Sequence, residues 1–168
     1  MAFFDRLRGL LPGRAAPDRT NLRPARGGEA FGRGTRALER GRLDEAESAF
    51  EEALAAADRP GDAALVRNKR AIVAIRRGDR EGAVAELVLA LEADGRSAAA
   101  ITTVGNLLLE EGAVEDAIAH YEYALLVDDA YAAAYHNLGV ALHRSGRRGE
   151  AVRMLRKATR LEGRIRRT

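Results

Sequence analysis

The chain has 168 residues, about the length of one domain, and 46% of them are hydrophobic, which is enough for a folded core. Its formal net charge is only +3, and it contains no cysteine, which excludes disulfides and thiolate metal sites and suits a reducing compartment. No apolar run approaches the roughly 18 residues that a membrane-spanning helix needs, so we expect a cytoplasmic location. Plentiful alanine, leucine, glutamate and arginine favour helix, and the preference for arginine over lysine suggests a GC-rich bacterial gene.

The first 26 residues predict a basic arm, with six arginines and two acids and therefore a net charge of +4. An apolar stripe at helical spacing over residues 2–11 predicts a short amphipathic helix that Pro12-Gly13 ends, and residues 14–26 predict a flexible linker. The arm could be disordered, lie on an anionic membrane surface, or bind protein, either a partner or the chain's own groove. Its stripe consists of Phe3, Phe4, Leu7, Leu10 and Leu11.

A repeat with a period of 34 residues fills the rest of the chain. Gly78, Gly112 and Gly146 keep this spacing, and so do two columns of alanine. An earlier copy is offset by 37 residues, and we expect its three extra residues to form a loop near residues 59–62. The repeat domain, 27–165, then holds four copies at 27–60, 64–97, 98–131 and 132–165, and a basic tail, 166–168, follows. The alanine columns are Ala46, Ala83, Ala117, Ala151 and Ala53, Ala90, Ala124, Ala158, with Gly41 in the first copy.

Each copy holds two apolar stretches with the i, i+3, i+4, i+7 spacing of an amphipathic helix, and no stretch alternates convincingly as a strand does. The glycine between them can adopt the left-handed conformation that ends a helix. The alanine columns allow two antiparallel helices to approach closely. One such hairpin cannot bury both of its faces, so the copies must stack. The pattern therefore predicts an all-α fold of four tandem helix-turn-helix units.

These columns resemble the tetratricopeptide repeat (TPR) family, whose pattern combines an aromatic residue, a leucine-glycine pair, small residues and an alanine followed by a large residue. The fourth copy matches best, with Tyr135-His136-Asn137-Leu138-Gly139-Val140-Ala141-Leu142 followed by Gly146, Ala151, Leu155 and Ala158. The first copy matches at Ala46 and Phe50, and the third matches at Val104-Gly105, Ala117 and Tyr121.

The resemblance implies an α-solenoid, a right-handed superhelix whose first helices line a concave groove that binds a partner peptide or helix. Some relatives grip a terminal carboxylate with lysine and asparagine, but Asn68 and Ile72 replace these residues here, which disfavours that ligand. The mixture of aliphatic residues and amides suits a partly apolar segment. The implied groove residues are Asn68, Ile72, Ile75, Arg76, Thr102, Asn106, Leu109, His136, Val140, His143 and Arg144.

No residue pattern in the chain indicates catalysis, a cofactor or a metal site. His136 and His143 lie seven residues apart on one predicted helix, about 10 Å by helical rise, which is too far to bind one ion without a third ligand. No glycine-rich phosphate loop follows a strand, and acid pairs lie at predicted helix ends, where solvated polar residues are ordinary. We therefore expect that the protein is not an enzyme.

Charge is distributed unevenly between the last two copies. The third contains seven acids and no lysine or arginine, whereas the fourth contains eight bases and two acids. The two copies could attract each other or offer an acidic and a basic patch to partners, and the lack of interleaved aromatic residues disfavours nucleic acid. Our first hypothesis is an adaptor, assembly factor or chaperone-like protein that binds a protein segment. The alternative is a scaffold recruited to the membrane surface through residues 1–11, and the oligomeric state stays open.

Overall fold

The computed structural model describes residues 27–165 and the isolated Gly9, so the apolar stripe of the arm, the linker and the basic tail lie outside the described residues. Between residues 27 and 165 the chain forms eight α-helices and no strand, which confirms the predicted all-α fold. None of these eight helices is long and apolar enough to cross a membrane. The helices are α1 (Gly28–Glu39), α2 (Leu43–Ala55), α3 (Pro60–Arg77), α4 (Arg80–Ala93), α5 (Ala98–Glu110), α6 (Val114–Val127), α7 (Ala132–Arg144) and α8 (Arg148–Ile165).

The chain divides into two compact units, whose described parts are residues 27–100 and residues 101–165. The first unit contains α1 to α4, and the second contains most of α5 together with α6, α7 and α8. Helices that follow each other in sequence pack as hairpins, α1 with α2 and α3 with α4 in the first unit and α7 with α8 in the second. The number of repeats and the boundaries of the copies stay predictions.

A glycine in the left-handed conformation follows the first helix of each hairpin. Gly112, for example, has a φ of +83°; its N–H donates to the carbonyl of Leu109, and the N–H of Ala113 donates to the carbonyl of Leu108. These two bonds satisfy carbonyls that the end of a helix leaves free. A side chain at this φ would be strained, which explains why glycine recurs in this column. The same two bonds are made at Gly41, Gly78 and Gly146, whose φ values are +73°, +79° and +84°.

The prediction of a loop at residues 59–62 is wrong, because α3 begins at Pro60 and Arg59 is its N-cap residue. Pro60 occupies the first turn, where its fixed φ suits a helix and its missing N–H removes no helical bond. The buried carboxylate of Asp62 accepts two hydrogen bonds from the guanidinium of Arg59, at 2.8 and 3.1 Å. The extra residues therefore lengthen α3, which has 18 residues compared with 13 in α5 and in α7.

The alanine columns are buried where two helices meet, as the sequence predicts. In residues 27–100, Ala46 and Phe50 belong to a buried apolar cluster that α1, α2 and α3 share. In residues 101–165, Ala117, Ala151 and the ring of Tyr121 are buried. The small columns therefore allow the close approach of helices that the repeat requires. At most 2% of each of the following residues is exposed: Ala46, Ala53, Ala83, Ala90, Ala117, Ala124, Ala151 and Ala158.

Candidate functional site

In residues 101–165, the two first helices α5 and α7 share a polar network centred on Asn106. The side-chain oxygen of Asn106 accepts a hydrogen bond from the hydroxyl of Tyr121 at 2.9 Å and another from the amide nitrogen of Asn137 at 2.7 Å. Both bonds use the oxygen, so they fix the orientation of the amide. Neither bond uses the two N–H donors of Asn106, which is half-buried, and these donors can serve a ligand.

Tyr121 of α6 supports this network through the hydroxyl that donates to Asn106. Its ring is buried between α5 and α6, and burial raises the pKa of its hydroxyl well above the ordinary value. Arg144 opposes this shift, and Glu110 adds to it. The hydroxyl therefore stays protonated at physiological pH and keeps donating to Asn106.

Arg144 ties α7 to the end of α5. Its guanidinium donates to the carbonyl of Leu109 at 3.2 Å. This carbonyl belongs to the last turn of α5, where the helix dipole favours a cation. In residues 27–100, Arg76 of α3 donates in the same way to the carbonyl of Leu38 at the end of α1, at 2.5 Å. Each unit therefore contains the same interaction: an arginine on the first helix of one hairpin donates to the C-terminal turn of the first helix of the preceding hairpin.

The remaining groove residues predicted in α5 and α7 are unequal in exposure. Thr102 and Leu109 are buried, and Val140 is half-buried. His136, His143 and Arg144 are exposed. Together with Asn106, the exposed and half-buried residues form a surface that mixes amide, imidazole, guanidinium and aliphatic groups. We call it the Asn106 surface, and it consists of Asn106, His136, Asn137, Val140, His143 and Arg144.

The groove residues predicted in α3 lie in the other unit. Asn68 is buried, and Ile75 is half-buried. Ile72 is half-buried and packs against the apolar cluster of that unit, so part of its side chain belongs to the core. The exposed Arg76 is fixed by its bond to Leu38. Their role in partner binding stays a prediction.

Sequence reasoning missed two members of the network. Asn137 lies in the stretch that resembles the family but is not one of the groove residues that the resemblance implies, although it bonds directly to Asn106. The sequence pattern places Tyr121 in the large-residue column of the core, which is correct for its ring but gives no role to its hydroxyl. The sequence does contain a signal for this contact, because Asn106 and Asn137 are two amides on consecutive first helices.

The histidines do not form a metal site in the part of the chain that the structure describes. His120 is buried, and its Nδ1 lies 2.8 Å from the carbonyl oxygen of Asp116 on the preceding turn of α6. His136 and His143 are exposed on α7. Residues 27–165 contain no group of three or more histidine or acidic side chains that could hold an ion.

The tandem helical hairpins define the class of helical-hairpin repeat proteins. Two family models match the chain, one described as a TPR repeat over residues 105–146 and one as a tetratricopeptide repeat over residues 132–161. Residues 105–161 therefore match the tetratricopeptide repeat family. No curated protein matches the sequence. A TPR fold supports a role in protein–protein interaction.

Solved structures of TPR proteins share the fold. PilF of Pseudomonas aeruginosa is 23% identical with a TM-score of 0.66, and the match covers 80% of this chain but only 60% of that one. MamA is 19% identical with a TM-score of 0.59, and the match covers 84% of this chain and 81% of that one. YrrB, described as a TPR protein with an unusual peptide-binding site, is 25% identical with a TM-score of 0.54, and the match covers 82% and 69%.

Proposed function

We propose that the protein is an adaptor or assembly factor, and that its Asn106 surface binds a segment of a partner protein. The observation that carries this proposal is the orientation of Asn106. Its oxygen is held by Tyr121 and Asn137 at 2.9 and 2.7 Å, so its N–H donors are positioned before any ligand arrives. A donor that is already fixed loses little side-chain entropy on binding, which favours affinity.

The chemistry of the Asn106 surface suits a polypeptide. Amide side chains can donate to main-chain carbonyls and accept from main-chain N–H groups. Val140 supplies apolar area beside them, and His136 and His143 lie on either side of it, four residues before and three residues after it on α7. An extended peptide or one face of a helix offers this combination of main-chain groups and alternating side chains. The description of YrrB as a TPR protein with a peptide-binding site supports the same class of ligand.

The repeat extends the proposal to the same columns in residues 27–100. There Asn68, Ile72, Ile75 and Arg76 occupy the positions of Thr102, Asn106, Leu109 and Glu110 one copy later. Asn68 and Ile72 lack the cation and the amide that would grip a terminal carboxylate, so we expect an internal segment of the partner as the ligand. We place the protein in the cytoplasm, because a chain without cysteine suits a reducing compartment.

Site-specific photo-crosslinking tests this proposal in living cells. A photoreactive residue at position 140 should form a crosslink to one partner segment, because Val140 lies within the Asn106 surface. The matched control places the same residue at position 89, because Leu89 on α4 is also an exposed aliphatic side chain, at 41%, and lies outside the Asn106 surface. Crosslinking of the partner from position 89 and not from position 140 would contradict the proposed surface.

A further inference from the structure

The outer face of α8 carries an apolar depression that no other described helix covers. Val152, Leu155 and Thr159 line it, and Arg156 and Arg160 complete its lining. Its volume is about 460 Å³, and Val152 is 46% exposed there. Large aliphatic side chains exposed beside charged ones on one helix face are typical of a surface that binds another protein.

The repeat shows what this face of a second helix normally receives. One period of 34 residues earlier, Val152, Leu155 and Thr159 correspond to Ile118, Tyr121 and Leu125 of α6. In the second unit α6 packs against the following helix, α7, and Ile118 is buried, whereas the ring of Tyr121 is buried against Gly105 of α5 within its own hairpin. The depression on α8 therefore has the position of a site that accepts a helix.

Charge restricts which helix can bind there. Arg156 and Arg160 border the depression, and two further bases, Arg153 and Lys157, lie on the same helix, α8. A second α8 would be repelled, because like charges would meet. The N-terminal arm, residues 1–26, also carries a net charge of +4, so it is a poor match. The occupant should be a helix that combines an exposed apolar side chain with acids.

The chain itself carries such a helix. On α6, Glu115, Ala119, Glu122 and Leu126 are exposed and follow one another at helical spacing. Leu126 is 73% exposed, the highest value among the large hydrophobic residues that the structure describes. No lysine or arginine occurs between residues 98 and 131. The stripe interacts electrostatically with Arg147, between α7 and α8, but the guanidinium of Arg147 is already paired with Glu150.

We propose that the α8 face of one molecule binds the acidic stripe of α6 on a second molecule. Leu126 would enter the depression beside Val152 and Leu155, and Glu115 and Glu122 would meet Arg156 and Arg160. The two surfaces differ, so the contact is head to tail and propagates into chains or rings. A small contact that depends on exposed charge pairs is weak and salt-sensitive, so association should appear between micromolar and millimolar protein.

Sedimentation velocity of the full chain over this concentration range tests the proposal. The native protein should associate at low salt, and higher salt should reverse the association. Arg156→Glu with Arg160→Glu should abolish it, and so should Glu115→Lys with Glu122→Lys. An equimolar mixture of the two reversed variants should associate again, because each then offers the charge that the other has lost. A monomeric native protein at every concentration, or a mixture that stays monomeric, would overturn the proposal.

Two further variants separate this contact from other causes. Leu126→Lys removes the apolar side chain at an exposed position, so it should weaken association at least about tenfold without loss of helix content. Arg153→Glu with Arg164→Glu removes the same charge from α8 outside the depression and should retain most of the association. Association that survives both reversals but disappears on deletion of residues 1–13 would assign the face to the arm and overturn the proposal.

Discussion

Gly105 of α5 lies directly against the ring of Tyr121 of α6, so closely that a Cβ at Gly105 would stand 2.6 Å from Cε1 of that ring. The same relationship joins Gly34 to Phe50 and Gly139 to Leu155, always 16 residues apart, with closest approaches of 2.6 and 2.7 Å. A glycine on each of these first helices therefore makes room for a large side chain on the second. At Gly105 this contact also positions the Tyr121 hydroxyl for Asn106, so packing and the candidate site depend on one residue.

Gly105→Ala should introduce a steric cost of about 1–3 kcal/mol, because the ring of Tyr121 must move to admit the methyl group. Alanine normally gains about 1 kcal/mol over glycine in a helix interior, which offsets part of this cost, so the variant should be less stable than the Gly163→Ala control. Gly163→Ala in α8 is the matched control, since a Cβ there meets nothing within 4 Å and should be neutral or stabilising. Thermal or urea denaturation would measure both. Equal stabilisation by the two changes would contradict the close contact.

Ala117→Leu should cost about 1–3 kcal/mol of stability, because Ala117 is fully buried where α6 meets its neighbours. Ala119, two residues later, is exposed, so Ala119→Leu should leave the free energy of unfolding nearly unchanged. Denaturation midpoints of the two variants test the register of the repeat. An unchanged midpoint for Ala117→Leu would mean that the helix surfaces have been assigned incorrectly.

Tyr121→Phe should cost about 0.5–1.5 kcal/mol at neutral pH, because it removes one hydrogen bond to Asn106. It should also change the response to alkali. Burial raises the pKa of Tyr121, so the folded state keeps a proton that the unfolded state loses above about pH 10. The stabilisation is complete below that pH and falls as pH rises towards the folded pKa.

Unfolding free energies measured at increasing pH test this effect. The native protein should lose stability more steeply above about pH 10 than Tyr121→Phe does. Burial also raises the pKa of Tyr131, so the variant should retain part of the alkaline loss. Identical slopes for the two proteins would contradict the burial of the Tyr121 hydroxyl in a network.

The alternative function, recruitment to a membrane, rests on residues 1–11, which lie outside the described residues. It predicts that the intact protein floats with anionic vesicles and that salt weakens this binding. Phe3→Glu with Phe4→Glu should abolish flotation, because both aromatic side chains belong to the apolar stripe. Intact protein that stays in the soluble fraction at low salt would exclude the alternative.

The sequence predicts those features of the fold that depend on positions where only a few residue types are compatible with the structure. Gly112 needs a positive φ, and Ala117 is fully buried where helices meet, so both recur with the period. The start of α3 was missed because Pro60 and Gly61 resemble a loop, whereas Pro60 suits the first turn and Asp62 is held by Arg59. A helix can also absorb inserted residues by becoming longer.

The candidate site is less predictable because it depends on contacts between helices. The bond between Asn106 and Asn137 joins residues 31 positions apart, and its existence depends on how α5 and α7 are placed side by side. The bond from Arg144 to Leu109 depends on the path of a long, flexible side chain to a backbone carbonyl. Periodicity places such residues on a helix face but does not pair them.

Binding of the crosslinked partner segment to defined variants tests the central claim most directly. Asn106→Asp keeps an oxygen for Tyr121 and Asn137 but removes the N–H donors, and His136→Ala removes an exposed neighbour on α7. Calorimetry should show that the double variant binds at least about tenfold more weakly, a difference of about 1.4 kcal/mol, with unchanged helix content. Reversing Arg153 and Arg156 should leave the affinity unaltered. Undiminished affinity in the double variant of Asn106 and His136 would contradict the assignment of the Asn106 surface. So would a loss of binding that occurs only when Arg153 and Arg156 are reversed.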